Sequence, residues 1–399
     1  MGLNWGIVGV GQGGNNIADA FAPHFPAVVA INSALTDLRA LKNIPRDRQI
    51  AIGEDGAGKN IAIGERAFKK NLSTIKDKLN DIFKGIDFVW VIGCLGGGTG
   101  SLGTLHTVGV LADLEKYVGT ITTLPTDDEG TQNKKNAAIA ATEIITANEK
   151  VDLFRPMIFM DNQILKSSLV GGKLSYEESL IQMNAIFCTN FLMIYEFSTR
   201  PAITSFDLQE YNQIFHEKGC VRFAADDFDY NPHDSDTCLL SMTKDLWEKS
   251  LFLTGDYSKS TAAAVVIERP ENFDTDGKKI DTLFTGVKDY IGSGYFCRGV
   301  YRRREGVIKK KPLTIATILS GIPAPVDRIN ELTEDVEREM ADILAKKSDA
   351  PKISTNTQKL KEKYMSELSL KTKKPTLDLT VFKDEEFVDE KGPFKFKEE

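Results

Sequence analysis

Residues 87–101, DFVWVIGCLGGGTGS, carry the reading of the fold. Asp87 to Gly93 is a short, nearly uninterrupted apolar run rich in β-branched and aromatic side chains, the pattern of a strand buried on both faces. Gly96-Gly97-Gly98-Thr99-Gly100-Ser101 follows, and Gly100 to Leu114 then has helical spacing. A strand that ends in glycines and opens a helix makes a nest of backbone N–H groups at the positive end of a helix dipole. Thr99 and Ser101 add two hydroxyl donors, so the loop suits a di- or triphosphate. It is not the GxxxxGK[ST] of a P-loop, because no lysine follows the glycines. Cys94 beside it reads as a small buried strand residue.

The same pattern stands at the N-terminus. Leu3 to Val10 is an apolar run, followed by Gly9-Val10-Gly11-Gln12-Gly13-Gly14-Asn15-Asn16 and a helical pattern from Gly13 to Phe21. Gly9, Gly11 and Gly14 satisfy GxGxxG. A dinucleotide site would also want an acid at the end of the second strand, Ala27 to Asn32, which here ends in Asn32-Ser33. A Rossmann-type NAD-dependent oxidoreductase therefore stays as an alternative, and a plain structural turn as another.

Further strands at Gln49–Ile52, Gly119–Leu124 and within Val151–Met160 alternate with helical patterns at Ile61–Phe83 and Thr131–Asn148. Such alternation predicts an α/β fold with a parallel, doubly wound sheet. Leu174 to Phe197 is apolar on nearly every side, which predicts a helix buried between two layers. Ser175 and Glu178 make a capping-box start for it. Strands at Val221–Ala225, Ala262–Ile267, Tyr295–Tyr301 and Leu313–Leu319, with a helix at Thr282–Ile291, make the following segment mixed. From Pro325 the pattern Val326, Ile329, Leu332, Val336, Met340, Ile343 is strongly amphipathic. Beyond Lys346 the chain is polar, lysine-rich and aperiodic, as disordered segments are.

Composition narrows the classes. The 399 residues carry 50 Lys plus Arg against 57 Asp plus Glu, a net charge of −7. An acidic chain is a poor direct ligand for nucleic acid, so no sequence-specific DNA binding is expected. The five cysteines contain no CxxC pair and the four histidines no ligand spacing. No metal site and no disulfide framework are expected, in keeping with a cytoplasmic location. No apolar run approaches the roughly 20 residues that span a bilayer, and the N-terminus lacks a signal-peptide pattern.

Taken in order, these motifs resemble the tubulin/FtsZ superfamily. GGGTGS after a strand, with GVGQGGNN at the first strand end, looks like its glycine-rich nucleotide loops. Asn32-Ser33 sits where its second loop lies. Gly56-Ala57-Gly58-Lys59-Asn60 is similar to the third loop, which approaches the γ-phosphate. Leu124-Pro125 through Glu129-Gly130 is similar to the ribose-side loop, where Asn133 replaces an arginine. Asp161-Asn162 follows the sixth strand. Asn184 lies in the central helix, where the family reads guanine with an amide. Ser205-Phe206-Asp207-Leu208-Gln209-Glu210 falls at the catalytic loop. Within the superfamily, GERAFKK, LPTDDEGTQNKKNA and TILSGIPAPVDRINEL resemble the plasmid- and phage-borne TubZ branch.

The resemblance implies a tubulin-like GTPase using GTP/GDP and Mg²⁺. Its nucleotide-binding set would be Gly11, Gln12, Gly13, Asn16, Asn32, Ser33, Ala57, Gly58, Lys59, Asn60, Gly96, Gly97, Gly98, Thr99, Gly100, Ser101, Glu129, Asn133, Asn162 and Asn184. It further implies head-to-tail homopolymers, Asp207 and Glu210 completing the neighbouring subunit's site, and plasmid or phage DNA moved through a DNA-binding adaptor. An FtsZ- or CetZ-type division or cell-shape filament is the alternative. The expected organisation is a GTP-binding domain over 1–172, a central helix over 173–200, a C-terminal domain over 201–322, an amphipathic helix over 323–346 and a charged tail over 347–399.

Two site readings compete with simpler ones. Asp207 and Glu210, three apart at a helix start, are also a capping arrangement. Asn184 in an apolar helix could instead satisfy itself internally. The basic runs Arg302-Arg303-Arg304 and Lys309-Lys310-Lys311 read as solvated hairpin ends.

Overall fold

The computed structural model describes residues 4–348 except 152–153, 169–175, 199, 201, 205, 232, 249–255, 271–275, 293 and 305–310, together with residue 359. Ser175, Ser205, Lys309, Lys310 and nearly all of the tail lie outside the described residues.

Six strands build the first half: β1 (Trp5–Val10), β2 (Ala27–Asn32), β3 (Gln49–Ala51), β4 (Phe88–Cys94), β5 (Tyr117–Leu124) and β6 (Met157–Asp161). They pair in parallel in the order β3-β2-β1-β4-β5-β6. All six residues of β1 are buried, as are Phe88 to Gly93 of β4, which is why both read as unbroken apolar runs. Their connections are α1 (Gly11–Phe21), α2 (Leu35–Ala40), α3 (Ile61–Lys70), α4 (Leu72–Ile82), α5 (Gly100–Asp113) and α6 (Thr131–Val151). Strand order reverses between β1 and β4, and ligands of open α/β sheets bind at such a switch point. The two glycine loops leave these two strands.

The helical pattern over Ile61–Phe83 is two helices rather than one. Asn71 breaks it, donating its side-chain amide to Ala67 O at 2.8 Å and Ile52 O at 3.1 Å. A short amide side chain competing for backbone groups is how Asn ends helices.

After α7 (Asn162–Ser168) comes the central helix α8 (Tyr176–Phe197), then α9 (Leu208–Phe215), β7 (Cys220–Phe228), α10 (Cys238–Glu248), β8 (Ala262–Arg269), α11 (Gly277–Ile291), β9 (Tyr295–Arg302), β10 (Leu313–Ile322) and α12 (Val326–Ser348). β7 joins β6 through the single pair Met157–Cys220, and the sheet runs on as β7-β10-β8-β9. β10 is antiparallel to both neighbours, while β8 and β9 are parallel. The chain forms a compact unit over Met1–Val336, with Glu337–Glu399 a second unit.

One aromatic core serves both halves of the sheet. Phe191 of α8 lies 5.6 Å from Trp5, 5.4 Å from Trp90 and 5.7 Å from Phe223 of β7, ring centre to ring centre. Burial of each such ring stabilises by about 2–3 kcal/mol. The helix is not buried all round, however. Ile181 is 62% exposed, and Ala185 and Thr189 are exposed with it. Its apolar residues exceed what the sheet can cover, so only the face carrying Met183, Phe187, Phe191 and Ile194 packs inward. The predicted solvation of the basic run also fails at Arg303. Its side chain is 6% exposed, 3.7 Å from Glu268, and donates to Pro312 O at 2.9 Å.

Candidate functional site

A cleft of about 730 Å³ opens at the carboxyl ends of the parallel strands. Its floor is the two glycine loops. Gly11 takes φ +72°, and a Cβ there would stand 2.8 Å from Gly100 N, so the two loops touch through bare backbone. Only glycine allows both the left-handed turn and that approach. The N-termini of α1 and α5 thus point their unpaired N–H groups at one volume, an anion cradle made of two helix starts.

The residues expected at the site converge there with two exceptions among those assigned to nucleotide binding. Gly11, Gln12, Gly13 and Asn16 come from the start of α1, Asn32 and Ser33 from the end of β2, and Ala57, Gly58 and Lys59 from the loop before α3. Gly96, Gly97, Gly98, Thr99 and Gly100 come from the β4–α5 turn, Glu129 and Asn133 from the β5–α6 turn, Asn162 from α7 and Asn184 from α8. Ser101 does not line the cleft. It is fully buried, and its hydroxyl donates to the carbonyls of Leu95 and Gly97, so it braces the loop from beneath. Of the two expected hydroxyl donors, only Thr99 lines the cleft, and it shares a 2.6 Å hydrogen bond with Ser33. Asn60 does not line the cleft either: its side chain caps α3 by accepting from Ile63 N at 3.2 Å. That bond satisfies one of the first-turn N–H groups that a helix leaves unpaired.

Asn15, adjacent to Asn16, is buried. It donates to Ile31 O at 3.1 Å, and its Oδ1 has no partner among the described residues. Asn184 is half-buried, and its amide has no hydrogen-bond partner among the described residues, so the internal-bond reading does not hold. Glu129 accepts from Thr126 N at 3.1 Å and from the Asn133 amide, closing the β5–α6 loop on itself. Cys94 lines the cleft rather than hiding in the sheet. Burial pushes its thiol up to about 11, so it is an inert neutral group near neutral pH.

Several lining residues escaped sequence reasoning. Asp37 accepts from the Asn32 amide at 3.0 Å, and Asp55, Thr36 and Thr123 complete the wall. Asn136 supports it from behind: fully buried, it donates to Lys59 O at 2.8 Å and Gly96 O at 3.1 Å, and accepts from Gln132 at 2.7 Å. The one available signal was an Asn among alanines on the inner face of α6.

Asp207 and Glu210 do not line the cleft. They form a capping box at the start of α9. Asp207 Oδ1 accepts from Gln209 N at 2.9 Å and Glu210 N at 3.0 Å, and Glu210 Oε2 accepts from Asp207 N at 2.8 Å. Asp207 is exposed and Glu210 half-buried beside Cys297 of β9.

Next to the cleft, Arg328 of α12 ties the C-terminal helix to the strand ends. It lies 2.8 Å from Asp161 at the end of β6, 2.7 Å from Asp127 and 3.2 Å from Glu331. Burial pushes the Asp161 carboxyl up from its ordinary range, against the pull of Arg328.

A switch-point cleft with two helix-opening glycine loops defines a nucleotide-phosphate site, and residues 5–169 match the Tubulin/FtsZ family GTPase domain. Residues 5–169 thus form a Tubulin/FtsZ-family GTPase domain, which removes the NAD-dependent oxidoreductase alternative. It is 27% identical to the tubulin-like protein CetZ of Thermococcus kodakarensis over 79% of this chain and 81% of that one. It is 25% identical to the tubulin-like protein TubZ of Bacillus cereus over 87% of this chain and 86% of that one. Its fold is similar to that of a GTPγS-form protofilament of TubZ from Bacillus thuringiensis serovar israelensis, with a TM-score of 0.73, 17% identity, and 88% and 95% of the two chains covered. Among the described residues no helix is long and apolar enough to cross a membrane.

Proposed function

We propose that this protein is a cytomotive GTPase that polymerises head to tail and completes its hydrolytic site only between subunits. The observation that carries this is the separation of the two halves of the chemistry. The cleft holds the phosphate cradle, yet the carboxylates Asp207 and Glu210 stand outside its lining. A second copy stacked on the cleft could bring its own Asp207 and Glu210 to the terminal phosphate, where they would position the attacking water. Phosphoryl transfer needs such positioning and charge neutralisation more than covalent chemistry. Heterologous contacts of this kind build open filaments.

Within one subunit, the α1 and α5 loops would hold the phosphates. Glu129 and Asn133 would flank the ribose, and Asn162 with the unpaired amide of Asn184 would read guanine. Among the described residues no group of three metal-ligating side chains could hold a cation alone. Mg²⁺ fits as a cation shared with the phosphates, as Mg²⁺ usually is, with Asp37 or Asp55 as the nearby carboxylate. It would neutralise charge on the terminal phosphates.

Extended sequence similarity to a TubZ supports DNA segregation as the role of the filament. The acidic balance of the chain fits an adaptor protein that holds plasmid or phage DNA in its place. The similarity to an archaeal CetZ supports a second reading, a division or cell-shape filament.

Sedimentation with GTP, GDP and a non-hydrolysable analogue, with phosphate release followed alongside, tests the first claim. Pelleting should require the triphosphate, and hydrolysis per subunit should rise steeply with protein concentration. Hydrolysis at a constant rate per subunit through the assembly threshold would refute a shared site. Recruitment of a DNA-bound adaptor to the pellet, rather than of a membrane tether, separates the two roles.

A further inference from the structure

One cation bridges two of the loops that line the cleft. Arg328 stands near the start of α12, its side chain 12% exposed. Its Nε lies 2.8 Å from Asp161 Oδ2 at the end of β6. Its Nη2 donates to Asp127 Oδ1 in the β5–α6 turn at 2.7 Å and reaches Pro125 O at 3.5 Å.

Both carboxylates adjoin residues of the cleft wall. Asp161 stands between Met160 and Asn162, which both line the cleft. Its other oxygen accepts from Gln163 N at 2.8 Å, so the carboxylate is held from the α7 side as well. Asp127 stands between Pro125 and Glu129, the lining residues of the neighbouring loop. β5 and β6 are paired, Leu124 opposite Asp161, so the two acids leave adjacent strand ends and repel. Two surface links also join these loops: Asp127 N donates to Gln163 Oε1 at 3.1 Å, and Lys166 lies 2.8 Å from Asp128. Exposed links of this kind contribute little. The planar fork of Arg328 reaches both carboxylates at once, which fixes a separation between the loops and not only a charge.

We propose that Arg328 is a positioning residue for the nucleoside end of the cleft. Its guanidinium holds the β5–α6 and β6–α7 loops at the separation where Glu129 and Asn133 flank ribose and Asn162 meets guanine. This deepens the GTPase reading and rests on it. The phosphates are held elsewhere, at the starts of α1 and α5, so the fork acts equally on diphosphate and triphosphate. It also makes the choice of base depend on a helix that lies outside the cleft lining.

Equilibrium binding of GDP, a non-hydrolysable GTP analogue and ADP, each with Mg²⁺, to the full chain below its assembly threshold tests this. Arg328→Lys keeps a positive charge beside Asp161 but loses the fork. It should weaken GDP and the GTP analogue by the same factor, about tenfold, and narrow the preference for GDP over ADP, with a urea midpoint near that of the parent. Asp127→Ala, at an exposed position, should give the same pattern at a smaller size, about threefold. A purely structural role would lower the midpoint and leave the base preference of the folded protein unchanged. That result, unchanged affinities, or a loss confined to the triphosphate overturns the proposal. An unsubstituted chain that binds GDP no better than ADP would instead overturn the guanine reading beneath it.

Discussion

Asn136→Ala tests whether one buried amide holds the cleft together. Asn136 is fully buried, with donors to Lys59 O and Gly96 O and an acceptor for Gln132. Truncation removes these three bonds and a longer one to Gly97 O at 3.4 Å. Each hydrogen bond contributes about 1 kcal/mol net, and an orphaned buried carbonyl costs about 1–3 kcal/mol. Lys59 is exposed and Gln132 reaches solvent, so water replaces part of what is lost. The half-buried Gly96 carbonyl recovers less. Together these give a loss of about 2 kcal/mol. Urea unfolding followed by tryptophan fluorescence reads it as a lower midpoint at an unchanged slope. Because the lost bonds join the loop at 57–60 to the glycine turn, triphosphate binding should weaken with stability. Asn136→Asp is the sharper variant: it keeps the volume but turns a donor into a carboxylate facing two carbonyls, and should cost more than alanine. An Asn136→Ala chain within about 0.5 kcal/mol of the parent, binding nucleotide normally, would refute the bracing role.

Three further outcomes are expected. Asp207→Asn keeps an equally good helix cap, so stability should change by less than about 0.5 kcal/mol, while phosphate release drops and filaments persist; normal hydrolysis by that variant would exclude a catalytic carboxylate there. His106 is buried against Phe68 and 3.5 Å from Glu65, and burial lowers its imidazole below the ordinary value, the Glu65 carboxylate opposing. Its neutral form is the stable one. The unfolded chain therefore binds the proton more readily, and stability is fully present above about pH 6.5 and falls as pH drops from there toward the folded value; His106→Gln should flatten that part of the urea-midpoint profile. Arg328→Met strands the buried Asp161 carboxylate and should destabilise by about 3 kcal/mol, with partial rescue by Asp161→Asn; additive losses in the double variant would show that the two side chains do not act as a pair.

The two glycine turns, the six parallel strands and most of their helices were legible because each rests on local rules, whereas the short α2 was not. A strand buried on both faces has to be apolar throughout, and a backbone that approaches phosphate has to be glycine. Asn71, Ser101 and Asn60 misled for one shared reason. Each is a short polar side chain next to unpaired backbone groups, and each took the backbone bond nearest to it. Asp37, Asp55 and Asn136 were not legible because what gives them a place is the partner across the turn, and no periodicity encodes that. The exposed face of α8 was missed because apolar composition states what a residue tolerates and not whether the neighbouring sheet is wide enough to cover it.

The amino-acid sequence by itself determined that this chain builds a doubly wound sheet with two phosphate-cradling turns. It also set the capping pair Asp207 and Glu210 at the start of one short helix. Those features depend on contacts within a few residues. The tertiary structure alone decided that the two turns meet over a single cleft and that Asn136 locks Lys59 to one of them. It decided too that Asp207 and Glu210 stand apart from that cleft. These are contacts between segments tens of residues apart or more, set by how the sheet and its helices pack.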